Sequence, residues 1–360
     1  MVILVCGATG SVGQQTIKVI KHLKHKIVGI TFNKNLKKAK SIVKSNNIKY
    51  CYSPIHKQES NVNSYDELIK KTRPDLVVNA VVGFAGLEVT MAAIKNKVDI
   101  ALANKESLVV SGKYVMRLAK KNHVHIYPVD SEHAAITQAV GNKQKELKTI
   151  YITASGGPFY SRNNLNNITY KQAINHPNWK MGSKISIDSA TLVNKCFEMI
   201  EAYWLFNTKN IVPIYHPQSI VHSMVEFKDN SIAAIMSKPN MELPIQLALS
   251  KFKSDKSSLI SPLNFKNLNL NFDLIDENKY LPIKWAKEVL KNPNSSLPIV
   301  INAANEELIK LFANNKIKFK EITYFINLTI NKIKIIKITS FKQIFIVDQL
   351  TRKFVQNLVK

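Results

Sequence analysis

Along the first third of the chain, short apolar runs rich in β-branched residues alternate with longer stretches of helical period. The runs VILVC (2–6), KIVGITF (26–32), IKYCY (48–52), DLVVNAV (75–81), DIALA (99–103) and HVHIYPV (123–129) read as strands, while Gln14 to Leu23 and Leu87 to Lys95 carry apolar residues at helical intervals. Strands separated by helices and apolar enough to be covered on both faces make a parallel doubly wound sheet. The expected class is α/β, with a Rossmann-like domain over residues 1–149. From Thr149 the pattern changes. TIYITASGGPF, a loop rich in Asn and Pro through Trp179, a long helix from about Ser189, and SIVHSMVEF with SIAAIMS as an antiparallel pair predict a central α+β catalytic domain over 150–270. From Pro282 the pattern is helical apart from the β-prone IIKITSF, which gives a linker and small C-terminal helical domain over 271–360. No internal repeat interrupts this order.

Composition narrows the setting. With 360 residues and 45% hydrophobic content the chain can bury two or three cores. No apolar run approaches the roughly 18–20 residues of a membrane span, and a strand begins almost at once, so neither a membrane partner nor a leader peptide is expected. Cys6, Cys51 and Cys196 are odd in number and widely spaced, which suits a reducing cytoplasm better than a disulfide framework or zinc site. The net charge of +26 raises the question of nucleic acid, but the excess is lysine spread throughout, with arginine only at Arg73, Arg117, Arg162 and Arg352. Without a basic stripe or the arginine forks of base readout, no nucleic-acid partner is expected; the positive field would instead draw phosphorylated small molecules.

The chemistry-bearing motifs follow the same order. CGATGSVGQQT sets Gly7, Gly10 and Gly13 between a strand and a helix, the position at which helix amides and a close backbone approach accept a pyrophosphate. At the end of the second strand, where an NAD-binding unit carries an acid, stands FNKN; Lys34 between two amides suits the 2′-phosphate of NADP. ANKESLVV puts Asn104, Lys105 and Glu106 at the carboxyl edge of the sheet, although a solvated polar turn would look the same. In PVDSEHAAITQ, Asp130 and Glu132 leave a strand two residues apart. In extended chain they point the same way and repel unless a cation or solvent lies between them. Further on, Asp188 or Ser189 is a ready N-cap for a helix through Glu201, on which Asn194, Lys195 and Glu198 share a side. Hydroxyl, amide and ammonium near a helix start suit a phosphate, and Glu198 with Asp130 and Glu132 would make an oxygen-ligand site for magnesium or manganese; an ordinary solvated face is the alternative. TASGGPF adds Ser155 in a small-residue loop. His176 and Trp179 lie in a proline-bearing loop that reads as a lid.

Taken together, GATGSVG, NKESLV, PVDSEHAAI, TASGGPF, HPNWKMG, KISIDSATLVNK, HPQSIVHSMV and NAANE, in this order from the first strand to residue 307, resemble the 1-deoxy-D-xylulose 5-phosphate reductoisomerase family. The resemblance implies an NADPH-dependent enzyme of the non-mevalonate isoprenoid pathway, cytoplasmic and homodimeric, that uses a divalent metal (magnesium or manganese, with cobalt a further option) to rearrange its phosphorylated sugar to a branched aldehyde before reduction. By motif it implies Asp130, Glu132 and Glu198 as metal ligands, and Lys105 at the reacting end. Ser131, Glu132, Ser155, His176, Ser189, Asn194 and Lys195 would contact substrate, the phosphate falling to Ser155, Ser189, Asn194 and Lys195. Trp179 and Met181 would form the lid. Thr9, Gly10, Ser11, Val12, Asn33, Lys34, Asn35, Asn104, Glu106 and Gly182 would hold the cofactor. Three positions depart from the family pattern: Ser183 replaces an arginine, Cys196 a glycine, and FNKN a glycine-bearing turn, so Asn33 is expected to take up a glycine-like backbone. The rivals are a metal-independent NADP dehydrogenase of a small phosphorylated aldehyde or polyol, which a chelator would leave active, and a silent basic binding protein with salt-sensitive nucleic-acid affinity.

Overall fold

The computed structural model describes residues 1–160, 162, 165–179, 181–253, 259–277 and 280–359. In chain order the elements are β1 (Val2–Cys6), α1 (Ser11–His22), β2 (Lys26–Thr31), α2 (Leu36–Ser45), β3 (Tyr50–Tyr52), α3 (Tyr65–Thr72), β4 (Leu76–Asn79), α4 (Gly86–Lys95), β5 (Asp99–Leu102), α5 (Glu106–Lys121), β6 (Ile126–Pro128) and α6 (Ser131–Val140), followed by β7 (Leu147–Ala154), α7 (Tyr170–Ala173), α8 (Ser183–Thr191), α9 (Val193–Phe206), β8 (Ile211–Tyr215), β9 (Val221–Phe227), β10 (Ile232–Met236), α10 (Glu242–Leu249), β11 (Asp273–Leu274), α11 (Leu281–Lys291), α12 (Leu297–Ala313), α13 (Glu321–Lys332) and α14 (Phe341–Leu358).

The chain forms two compact units. The first contains a six-stranded, all-parallel sheet in the order β3-β2-β1-β4-β5-β6, the doubly wound arrangement that the alternating pattern predicts. The order reverses between β1 and β4, and the glycine turn lies at that switch point. Gly7 has φ of +82°, and its N–H and that of Ala8 donate to Thr31 O at 3.1 and 2.9 Å, tying the turn to the end of β2. A Cβ on Gly13 would lie 2.3 Å from Gly7 O and 2.8 Å from Ala8 Cα, so only glycine lets α1 approach the turn. Gly13→Ala is expected to weaken NADPH binding by at least about tenfold, the factor that a displacement costing about 1.4 kcal/mol produces; quenching of protein fluorescence by NADPH would measure it.

Residues Asn240–Leu263 pack with this first unit although they follow the second sheet in sequence. Ile245, Ala248 and Leu249 of α10 enter the same buried cluster as Ile3, Ile20 and Val129, and Lys18 on α1 donates to Glu242 at 2.6 Å. The segment thus packs apart from the catalytic stretch 150–270 in which its sequence position puts it.

The second unit has a five-stranded mixed sheet, β10-β9-β7-β8-β11, in which only β7 and β8 run parallel. β9 and β10 are the expected antiparallel pair. The β-prone IIKITSF makes no strand; it contributes one bridge, Ser295 to Lys337, before α14. The long helix expected from Ser189 is two helices, α8 and α9, broken at Leu192, whose φ is +62°. Asp188 and Ser189 therefore lie inside α8 and cap nothing. No glycine or proline marks that break in the sequence.

Candidate active site

In the first unit, the glycine turn presents Thr9 to Val12 at the start of α1, with Gly10 and Ser11 exposed. Beyond β2, Asn33, Lys34 and Asn35 are all exposed. Asn33 does not have the positive φ expected of it. Asn35 instead resolves the turn: its side chain accepts from Lys38 N at 3.0 Å and caps α2, which a glycine could not do.

Asn104 sits at the end of β5, almost wholly buried, within a polar network that fixes the β5–α5 turn. Asn79 donates to Thr90 at 2.9 Å, Thr90 to Ser107 at 3.0 Å and Ser107 to Asn104 Oδ1 at 2.5 Å, while Asn104 Nδ2 donates to Val81 O, Gly83 O and Glu106 at 2.8, 2.9 and 3.1 Å. Every donor in this relay meets an acceptor, so the amide orientation is determined and the turn is rigid. The next residue is Lys105, whose side chain is 6% exposed and whose Nζ pairs with Asp130.

Asp130 and Glu132 are not on extended chain. β6 ends at Pro128 and α6 begins at Ser131, so Asp130 precedes the helix and Glu132 lies in its first turn. The helix start, not strand alternation, brings a carboxylate oxygen of each within 4.8 Å of the other. Helix N-termini favour negative charge, and the Lys105 ammonium occupies the place of a counter-cation beside Asp130. Ser131 Oγ donates to Glu132 at 2.6 Å, and His133 Nδ1, buried and not signalled by any motif spacing, stands 3.8 Å from Asp130.

In the second unit, the left-handed residue Leu192 turns the chain so that Asn194 and Lys195 open α9. As the helical spacing predicts, both meet Glu198: Asn194 Nδ2 and Lys195 Nζ donate to its two oxygens, and Lys195 also donates to Thr153 O at the end of β7. Glu198 and Lys195 are 1% and 3% exposed. A buried carboxylate is tolerable only with such partners. Asp130 with Glu132 in the first unit and Glu198 in the second thus offer carboxylate oxygens beside an ammonium, and oxygen-only sets suit hard cations such as magnesium and manganese.

Ser155 follows β7 in the turn Gly156–Gly157, where Gly157 lies against α8: a Cβ there would come 2.9 Å from Ala190 Cα and 3.1 Å from Ser189 C. This contact seats the turn that follows Ser155 against the backbone of Ser189 and Ala190. Ser155 Oγ bonds His176 Nε2 at 2.9 Å. Because the backbone N–H groups of Asn178 and Trp179 both donate to His176 Nδ1 at 3.2 Å, the ring proton is on Nε2 and is donated to Ser155. Asn178, which no motif argument singled out, fastens the loop by donating to Pro217 O at 2.7 Å and Ser219 at 3.2 Å. Trp179 is half-buried, its ring edge-on to His222 with centroids 5.8 Å apart. Met181 is partly exposed, and Gly182 and Ser183 at the start of α8 are exposed. Cys196 is fully buried in α9, where burial raises its thiol pKa and the apolar interior accommodates the extra bulk.

Burial pushes His176 and His222 down from 6.5 to about 4. A histidine depressed in the folded state contributes stability that is complete above pH 6.5 and is lost as pH falls towards 4, because the unfolded chain takes up the proton first. The second unit is therefore expected to lose stability between those values. Trp179, Trp204 and Trp285, the chain's three tryptophans, all belong to it, so urea transitions followed by their fluorescence at several pH values report this directly. An unchanged midpoint from pH 7 to pH 5 would remove the claim.

A doubly wound sheet with a glycine turn at its switch point, followed by a second unit with a mixed sheet and a buried carboxylate on α9, has the architecture of a nucleotide-dependent oxidoreductase. Sequence models described as 1-deoxy-D-xylulose 5-phosphate reductoisomerase, its C-terminal domain, and DXP reductoisomerase C-terminal domain match residues 3–112, 126–206 and 236–354. The 1-deoxy-D-xylulose 5-phosphate reductoisomerase of Malacoplasma penetrans is 49% identical over 360 residues, 99% of this chain and 95% of that one; the enzyme of Clostridium novyi is 42% identical over 99% and 98%. Among solved structures, the Zymomonas mobilis enzyme in complex with NADPH superposes with a TM-score of 0.88 at 32% identity, covering 100% of this chain and 99% of that one. A DOX-P reductoisomerase bound to NADPH, fosmidomycin and magnesium gives 0.88 at 31% identity, covering 100% and 98%. The chain belongs to the 1-deoxy-D-xylulose 5-phosphate reductoisomerase family.

Proposed function

We propose that the chain isomerises 1-deoxy-D-xylulose 5-phosphate and reduces the product with NADPH to 2-C-methyl-D-erythritol 4-phosphate, with magnesium, manganese or cobalt as its divalent cation. Membership of the family along its whole length is the observation that carries this reading. In it, residues 1–149 hold the nucleotide and carry Lys105, Asp130, Ser131 and Glu132, 150–270 supply the remaining substrate contacts and Glu198, and 271–360 support them.

When bound, the cation supplies Lewis-acid polarisation of the substrate's carbonyl and neighbouring hydroxyl, and NADPH supplies a hydride. Asp130, Glu132 and Glu198 are assigned as the metal ligands, with Ser131 and Glu132 also orienting substrate. Lys105, paired with Asp130, aims N–H donors at the oxygens on which negative charge develops. Ser155, Ser189, Asn194 and Lys195 bind the phosphate. His176 closes the pocket by holding Ser155, and Trp179 with Met181 covers substrate and nicotinamide, excluding water. Thr9 to Val12 take the pyrophosphate and Asn33 to Asn35 the adenosine end, with Lys34 on the 2′-phosphate. Asn104, Glu106 and Gly182 lie at the nicotinamide end. Because the Asn104 amide is spent on the protein, its part there falls to its main chain.

A homodimer is assigned by the resemblance, to be checked by sedimentation. A cytoplasmic setting accords with three free cysteines, and no helix of the described residues is long and apolar enough to cross a membrane. The test of function is NADPH oxidation by the purified chain with 1-deoxy-D-xylulose 5-phosphate, with added manganese or magnesium and again with a chelator. Oxidation that the chelator abolishes is expected. Oxidation that survives chelation would instead favour the metal-independent dehydrogenase.

A further inference from the structure

The motif INAANEE at 301–307 takes no part in the chemistry assigned above, yet it reaches the phosphate-binding elbow. Asn305, fully buried on α12, donates from Nδ2 to Asp188 Oδ1 at 2.7 Å across 117 residues of chain. Asp188 is 2% exposed on α8, and its other oxygen accepts from Lys184 Nζ at 2.7 Å. The same ammonium lies 5.4 Å from the ring centroid of Phe197 on α9. Lys184 thus joins α8 to α9, and Asp188 joins α8 to α12.

The elbow needs such joints. Leu192 holds a left-handed conformation that is disfavoured for a non-glycine residue, and it persists only if its surroundings impose it. Ser189 directly follows Asp188, Asn194 and Lys195 directly follow the elbow, and Gly157 seats the Ser155 turn against the backbone of Ala190. A small rotation of α8 would move Ser189 relative to the Ser155 turn seated against it and to Asn194 and Lys195 on α9, changing the spacing of the four assigned phosphate ligands. The geometry points to Asp188 and Asn305 as positioning residues for substrate phosphate binding: they touch no substrate, but their hydrogen bond ties α8 to the C-terminal helices and so sets the spacing of the cradle.

This inference rests on the assignment of Ser155, Ser189, Asn194 and Lys195 to the phosphate. In the full-length chain, Asn305→Ala is expected to raise KM for 1-deoxy-D-xylulose 5-phosphate about tenfold, with kcat changed less than about twofold and KM for NADPH unchanged, since misplacing a binding group by a fraction of an ångström costs on this scale. A purely structural contact would lower the unfolding midpoint and leave the ratio of the two KM values alone, which would overturn the inference. Asn305→Asp supplies a second reading that survives poor folding of the alanine variant. Its new carboxylate must share a proton with Asp188, so its KM relative to wild type should approach unity in acid and climb as pH rises. A ratio independent of pH contradicts the inference. If the wild-type chain does not turn over this substrate, the functional reading fails on its own. The cradle is then tested with inorganic phosphate by calorimetry, where Asn305→Ala should still weaken binding about tenfold and equal affinity would refute the positioning role.

Discussion

Asp130→Asn is expected to lower kcat/KM by about a thousandfold or more, since metal polarisation of a carbonyl is worth several kcal/mol and each ~1.4 kcal/mol is tenfold in rate. Asparagine keeps the shape and removes the charge. Two losses coincide: the carboxylate pair at the start of α6 becomes a weaker anionic site, and Lys105, buried at the β5–α5 turn, loses its ion-pair partner. Neither loss touches the glycine turn, so NADPH affinity should stay within about twofold of wild type, which separates lost chemistry from lost folding. The measurement is NADPH oxidation over a range of substrate concentrations at several concentrations of manganese and magnesium. A variant that keeps a tenth of the activity at ordinary metal concentrations would rule out Asp130 as a ligand.

The second large effect is on stability. Lys195→Met preserves the bulk of the side chain but leaves Glu198, 1% exposed, without its ammonium, and Thr153 O without its donor. Breaking a buried pair from one side typically costs about 3–5 kcal/mol, because the remaining charge stays desolvated. The tryptophan-reported urea transition should move to lower denaturant accordingly. If Glu198 is a metal ligand, a divalent cation at about a hundred times its dissociation constant should return roughly 2.7 kcal/mol by mass action. The loss without the recovery would mean that Glu198 serves Lys195 alone.

Much of this was legible in sequence because it is local. Alternation of apolar runs fixes six strands, and the parallel order follows from the helices between them. Gly7 and Gly13 mark the turn after β1 because the backbone there allows nothing larger. Asn194, Lys195 and Glu198 come together by helical spacing alone. Where a local rule was applied to the wrong element it misled: Asp130 and Glu132 converge through a helix start, and FNKN is settled by an Asn35 cap, not by a strained Asn33.

Other features have no local signature. β8, IVPIY, contains Pro213, which argues against a strand; it is tolerated because β8 has β7 on one side there and meets β11 only at Ile214 and Tyr215. α10, ELPIQLAL, is apolar nearly all round, so its sequence does not say which sheet it covers, and burial against β1 and α1 in the first unit decides it. The break at Leu192 carries no glycine because neighbours, not intrinsic preference, hold the residue left-handed. The sequence by itself determined the six strands of the first sheet, the glycine turn after β1 and the chemical types available at each motif, since these depend on residues within a few positions of one another. Only the tertiary structure decided that Asp188 answers to Asn305, that Asn104 is spent on its own fold and that α10 belongs with the first sheet. Those pairings depend on which surfaces remain to be buried once the local elements exist.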